Sequence, residues 1–151
     1  MGASTPPLAV SVDARPLDIE NLRSQGIGRY AHGLLGPLVE LAAERGAELT
    51  LIRQSSRTLS PFGPVAGSRR IVRRPPLPAR TVELVEQALL PIDLARLRPD
   101  VHHSLSLYRA PLVSRPASVV TMHDVAPLQW PDRYLRTGVA HRMLYLSLIH
   151  I

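Results

Sequence analysis

The chain has 151 residues, enough for one domain with a real buried core. Its 45% hydrophobic and 20% charged residues are those of an ordinary globular protein. The net charge of +6 comes from 18 Arg and no Lys, spread from Arg15 to Arg142 rather than gathered on one face, which argues against a nucleic-acid partner. The densest basic run, RRIVRR at residues 69–74, reads as a short strand with solvated ends. Without Cys there are no disulfides, no thiol chemistry and no thiolate metal sites, which fits a cytoplasmic protein.

The opening MGASTPPLAVSVDARP has neither the basic start nor the long apolar core of a signal peptide. No apolar run approaches the ~20 residues of a membrane span, while peripheral contact with a membrane stays open. Residues 8–12 form a short apolar run that reads as a buried strand and ends at Asp13. Residues 15–25 are polar and irregular and read as a loop. A helix is expected from about residue 28 to residue 45, with Tyr30, Leu34, Leu38 and Leu41 on its apolar face. Gly46 should stop it, and Pro37 should kink it near Gly33.

ELTLIR at 48–53 is a second strand, followed by a loop over residues 54–68 rich in Ser, Pro and Gly. A third strand is expected at 70–73, ended by PPLP. Thr81 can cap a helix with Val82, Val85 and Leu89 on its apolar face, and Pro91 should restart it as PIDLARLR. DVHHS at 100–104 and ASVVTMHD at 117–124 are the fourth and fifth strands. VAPLQWPDRY reads as a loop, with Trp130 and Tyr134 as packing residues, and a last helix is expected over 134–145. Strands alternating with helices or long connections predict an α/β, Rossmann-like parallel sheet with flanking helices.

Such sheets bind ligands at the carboxyl ends of their strands. Asp13, His102, His103, Ser104, Thr121, His123 and Asp124 all fall there. Gly26-Ile27-Gly28-Arg29-Tyr30-Ala31 matches the G-x-G-x-x-A phosphate pattern, and two readings stand side by side. Either the glycines allow close approach of a phosphate to the helix N-terminus, with Arg29 adding charge, or they only bend the chain into a helix. An NAD(P)-binding site is disfavoured, because a dozen residues separate Asp13 from Gly26 and the second strand ends in Arg53 and Gln54 rather than an acid, although Arg53 could serve a 2′-phosphate. His123 is either an acid–base or binding group tuned by Asp124 or a hydrogen-bonded strand end. His102 and His103 are adjacent and cannot both face one ion from an extended strand, so no metal site is expected.

Four pieces, VSVDARPL, GIGRYAHGLL, PDVHHSL and ASVVTMHDVAPLQWPDRY, taken in that order, resemble the N-terminal domain of family 4 glycosyltransferases, retaining enzymes of the GT-B fold. The resemblance covers residues 8–145. It implies the acceptor-side half of an enzyme that moves a hexose from a nucleoside diphosphate sugar to a hydroxyl of a sugar or lipid-linked acceptor, with no separate cofactor. It implies that Gly26, Ile27, Gly28 and Arg29 border the donor phosphate and acceptor, that His123 lines the cleft near the transferred sugar, and that Asp124 matches the second position of an H-D motif. His103 is carried as a strand-end candidate for substrate contact.

The family pairs this domain with a second Rossmann-like domain carrying an E-x7-E motif, and nothing here matches that half. The closing LSLIHI resembles translated adapter sequence. Residues 1–145 are therefore read as an incomplete domain, 146–151 as a non-native tail, and the chain by itself as inactive. Polysaccharide synthesis at the inner face of the membrane is the setting the resemblance implies. The competing readings are an NAD(P)-dependent oxidoreductase domain and a non-catalytic interaction domain of the same architecture.

Overall fold

The computed structural model describes residues 6–18, 22, 24–53, 68–72, 79–111, 115–134 and 143. The expected loop at 54–68, apart from Ser68, the PPLP segment, the side chain of Val82, the last helix beyond Tyr134, apart from Met143, and the tail at 146–151 lie outside the described residues, while Val85 and Leu89 are half-buried. Five strands, β1 (Ala9–Asp13), β2 (Glu48–Arg53), β3 (Ser68–Val72), β4 (Val101–Ser104) and β5 (Ala117–Val120), form one sheet in the order β3-β2-β1-β4-β5. Every pairing is parallel. This is an α/β Rossmann-like sheet, and its strand order reverses between β1 and β4.

Side-chain alternation explains how both faces are filled. Val12, Leu49 and Leu51 point to one face and join Ala31, Leu35 and Ala42 of α1 (Gly26–Arg45) in the main core. Ile52, one residue on from Leu51, points to the other face and meets Leu90 and Leu94 of α2 (Ala79–Leu97). Fully burying a side chain such as Leu35 contributes about 1.5–3 kcal/mol.

The helix α1 departs from its expected pattern. Its buried stripe is Gly28, Ala31, Leu35 and Ala42, whereas Tyr30 and Leu41 are exposed and Leu34 and Leu38 sit at the margin of the core. Small residues let this helix lie close to the sheet, and a leucine count by itself points to the wrong face. The helix is continuous through Pro37, and one turn earlier Gly33 is exposed, with open space on the side where another residue would carry its Cβ. Gly46 does stop it. Its φ is 64°, its N–H donates to the Ala43 carbonyl, and Ala47 N–H donates to Ala42 O at 2.8 Å, a Schellman motif.

Other boundaries also move. Residues 15–17 are a buried 3-10 turn rather than open loop, because Arg15 is held inside by Asp13. Thr81 is not a cap, since α2 begins at Ala79, and Pro91 lies within one helix instead of starting a second. β5 ends at Val120, four residues before the expected end, so Thr121 to Asp124 are loop. It is an edge strand, and Ala117, Ser118 and Val119 are exposed. The segment after it forms two single turns, α3 (Ala126–Gln129) and α4 (Pro131–Tyr134), and Trp130 between them is 56% exposed rather than packed. Among the described residues no helix is long and apolar enough to cross a membrane.

Candidate functional site

The carboxyl ends of β1, β4 and β5 meet the first turn of α1 at the strand-order reversal. Sheets of this kind take ligands in that crevice. Each chemistry-bearing side chain there has a definite position.

Asp13 does not face the crevice. Arg15 folds back on it, with Nε donating to Oδ1 at 2.7 Å and Nη2 to Oδ2 at 2.6 Å, and both side chains are 1% exposed. Burial pushes the Asp13 carboxyl up, but the charge and hydrogen bonds of Arg15, with the charge of Arg109, outweigh it and leave its pKa below the ordinary value. Arg53 is similarly occupied. It is buried and its Nε lies 3.0 Å from both Asp18 oxygens, with a second ion-pair contact through Nη2. An arginine so engaged is not presented to a 2′-phosphate.

The adjacent histidines divide as strand alternation requires. His102 points to the α2 face and is fully buried, with Nδ1 2.9 Å from Ser11 Oγ and Nε2 3.2 Å from Ser104 Oγ. His103 points the other way and is half-buried, with Nε2 2.9 Å from Thr121 Oγ1. Burial holds its pKa below the ordinary value. Thr121 in turn lies 3.2 Å from Tyr30 Oη, and its N–H donates to Ser104 O at 2.9 Å.

His123 sits just past this point, exposed, in the loop after β5. Its Nε2 donates to the Leu105 carbonyl at 2.8 Å, because a carbonyl can only accept. In the neutral ring the proton is therefore on Nε2 and the lone pair on Nδ1. The Tyr30 ring stands edge-on to the imidazole, 5.2 Å between centroids at 82°. Asp124 does not orient this ring. Its Oδ1 accepts the Ala126 N–H at 3.0 Å and turns the chain into α3.

Gly26, Ile27, Gly28 and Arg29 form the first turn of α1, one residue before Tyr30. Gly26 and Arg29 are exposed, Ile27 is half-buried and Gly28 is buried. Of the described glycines only Gly46 has a positive φ, so these two make no unusual torsion, and Gly26 opens the helix. The N-cap residue, Gln25, makes no side-chain capping hydrogen bond, and the first N–H groups of the helix carry its partial positive charge.

The structure thus gathers Gly26 to Arg29, His103 and His123 at one rim and leaves Asp13, His102 and the Asp124 carboxylate out of it. It adds Tyr30, which with the strand-end residue Thr121 joins the helix start to the two histidines. The sequence signal for Tyr30 is slight, an amphipathic ring two residues past Gly28. Among the described residues no three His, Asp or Glu side chains cluster to hold a metal ion. A cavity of about 340 Å³ lies at the opposite, amino end of the sheet, lined by Ala9, Ser11, Glu48, Thr50, Leu97 and Pro99. A scan against protein-family models, a search of curated proteins and a search of solved structures each find no match to this chain.

Proposed function

We propose that the chain is the acceptor-side domain of a retaining glycosyltransferase that uses a nucleoside diphosphate sugar. The observation that carries the reading is the contact between Tyr30, at the end of the G-I-G-R-Y turn, and His123 of the T-M-H-D segment. The two most specific pieces of the resemblance lie 91 positions apart in sequence at their shared Tyr30–Thr121 hydrogen bond, yet they share one rim.

In this reading the donor diphosphate approaches the start of α1, where Gly26 and Gly28 carry no side chains and Arg29 adds a full positive charge. His123 presents Nδ1 as an acceptor for a hydroxyl of the sugar, while Nε2 stays on the Leu105 carbonyl. In the reaction the bond from the anomeric carbon to the diphosphate oxygen breaks, the nucleoside diphosphate leaves with the electron pair, and the acceptor oxygen bonds to the anomeric carbon. The acceptor's proton ends on the departing phosphate. A second domain supplies most contacts to the nucleotide and closes the cleft against water. The acceptor is a sugar or a lipid-linked sugar met at the cytoplasmic face of a membrane.

The test is made in the intact gene. His123→Ala should lower turnover of nucleoside diphosphate sugar at least ~100-fold, the scale of a lost positioned polar group, while the denaturation midpoint stays near that of the parent. Unchanged turnover removes His123 from the site. Quenching of Trp130 fluorescence by NADPH, with no response to nucleoside diphosphate sugars, would favour the oxidoreductase reading instead.

A further inference from the structure

Two independent contacts reach His123, one from each side of the crevice. The Leu105 carbonyl, just past β4, takes its Nε2 proton at 2.8 Å. The Tyr30 ring, from the first turn of α1, meets the imidazole edge-on at 5.2 Å. The carbonyl fixes one atom of the ring and leaves rotation about that hydrogen bond. A ring at 82° to it restricts that rotation.

Tyr30 is itself tethered. It is 38% exposed and does not belong to the main core cluster. Its hydroxyl lies 3.2 Å from Thr121 Oγ1, and the same oxygen lies 2.9 Å from His103 Nε2. His103 is held in β4, and Thr121 is fixed through its N–H to Ser104 O. A chain of polar contacts therefore runs from the sheet through Thr121 to the tip of the tyrosine, and the tyrosine's flank lies on His123.

The geometry points to Tyr30 as a positioning residue for His123, anchored by the Thr121–His103 pair. The glycine turn then has a second purpose. Tyr30 follows Arg29 directly, so any group that settles at the start of α1 borders the residue that sets the imidazole plane. Helix start and histidine form one unit rather than two separate subsites. The inference rests on His123 serving the site proposed above only for its bearing on catalysis. The ring's geometry can be measured without any activity.

The experiment is side-chain nitrogen and ring-proton NMR of the 151-residue chain labelled at histidine, with His123 assigned by its loss in His123→Ala. In the parent, His123 should show the Nε2–H tautomer and ring-proton shifts displaced by the neighbouring tyrosine. Tyr30→Leu should remove that displacement and bring in the second tautomer. Tyr30→Phe, which keeps the ring but loses the anchor, and Thr121→Val should each reduce the displacement. Loss of the ring alone removes the displacement, so the tautomer decides: a purely structural role for Tyr30 would lower the denaturation midpoint and leave the Nε2–H tautomer of His123 as in the parent. A parent-like Nε2–H tautomer of His123 in a folded Tyr30→Leu chain overturns the inference. If that variant does not fold, parent-like signals in both Tyr30→Phe and Thr121→Val overturn it. In the intact enzyme Tyr30→Phe should lower kcat severalfold with KM for the donor nearly unchanged. If His123→Ala leaves turnover intact, the proposed function fails while the NMR result still decides the role of Tyr30.

Discussion

Arg15 closes a two-pronged ion pair on Asp13, two residues before it, and both side chains are buried at the end of β1. Such a pair is costly to break from one side, because the surviving charge loses its nearest counter-charge in a dry place. Asp13→Asn and Arg15→Met are each expected to destabilise the domain by about 3–5 kcal/mol. The double variant should cost clearly less than the sum. Chemical denaturation of the four proteins tests this, and additive losses would show that the two side chains do not act as a pair. The pH dependence has a fixed sign. The folded-state pKa of Asp13 is lowered, so its contribution is present above the ordinary value of 3.8 and is lost as pH falls through the folded value.

His103 gives a dependence at higher pH. Burial lowers its folded-state pKa below 6.5, so an unfolded chain takes up the proton first. Stability should therefore be full above about 6.5 and fall with acid until the folded value is passed, where the loss levels off. Denaturation midpoints between pH 8 and 5, the ~6.5-centred range in which histidine titrates, should fall less in His103→Gln than in the parent. Parallel curves for the two proteins would contradict the assignment.

The contrast between Ala31 and Leu41 shows where the sequence could and could not be read. Alternation in ELTLIR marks both faces of β2, and its observed bounds agree with the expected 48–53. Leucine spacing in α1 misleads, since the helix buries Ala31 completely and leaves Leu41 47% exposed. Periodicity counts hydrophobicity, but close packing on a sheet is decided by volume. Ala31→Leu should cost about 1–3 kcal/mol through overpacking. Leu41→Gln should stay within about 0.5 kcal/mol of the parent. The reverse order of these two effects, read by thermal or urea denaturation, would reject the helix orientation.

For the site, the strand-end rule located His103 and His123, while the partners of each were not legible. Whether His123 and Asp124 act together depends on where β5 stops, and a strand boundary is set by edge pairing that sequence pattern does not encode. The strand stops at Val120, and Asp124 then spends its carboxylate on the Ala126 N–H. Tyr30 and Thr121 are 91 residues apart, and only the parallel crossover from β1 to β4 and on to β5 brings them together.

Gly26 separates the two meanings of the G-I-G-R-Y turn. Its backbone has no positive φ, and a Cβ there would meet nothing within 4 Å. Gly26→Ala is therefore compatible with the fold and should raise stability by about 0.4–1 kcal/mol, because it removes freedom from the unfolded chain. A turn that only starts a helix would show this gain and no other change. A turn that receives a phosphate against its bare backbone would show the same gain together with weaker binding, since the new methyl occupies the approach. Urea denaturation measures the first effect, and titration of the intact enzyme with a nucleoside diphosphate sugar measures the second. A Gly26→Ala enzyme that is more stable and binds the donor as tightly as the parent would leave the glycine as a helix start alone.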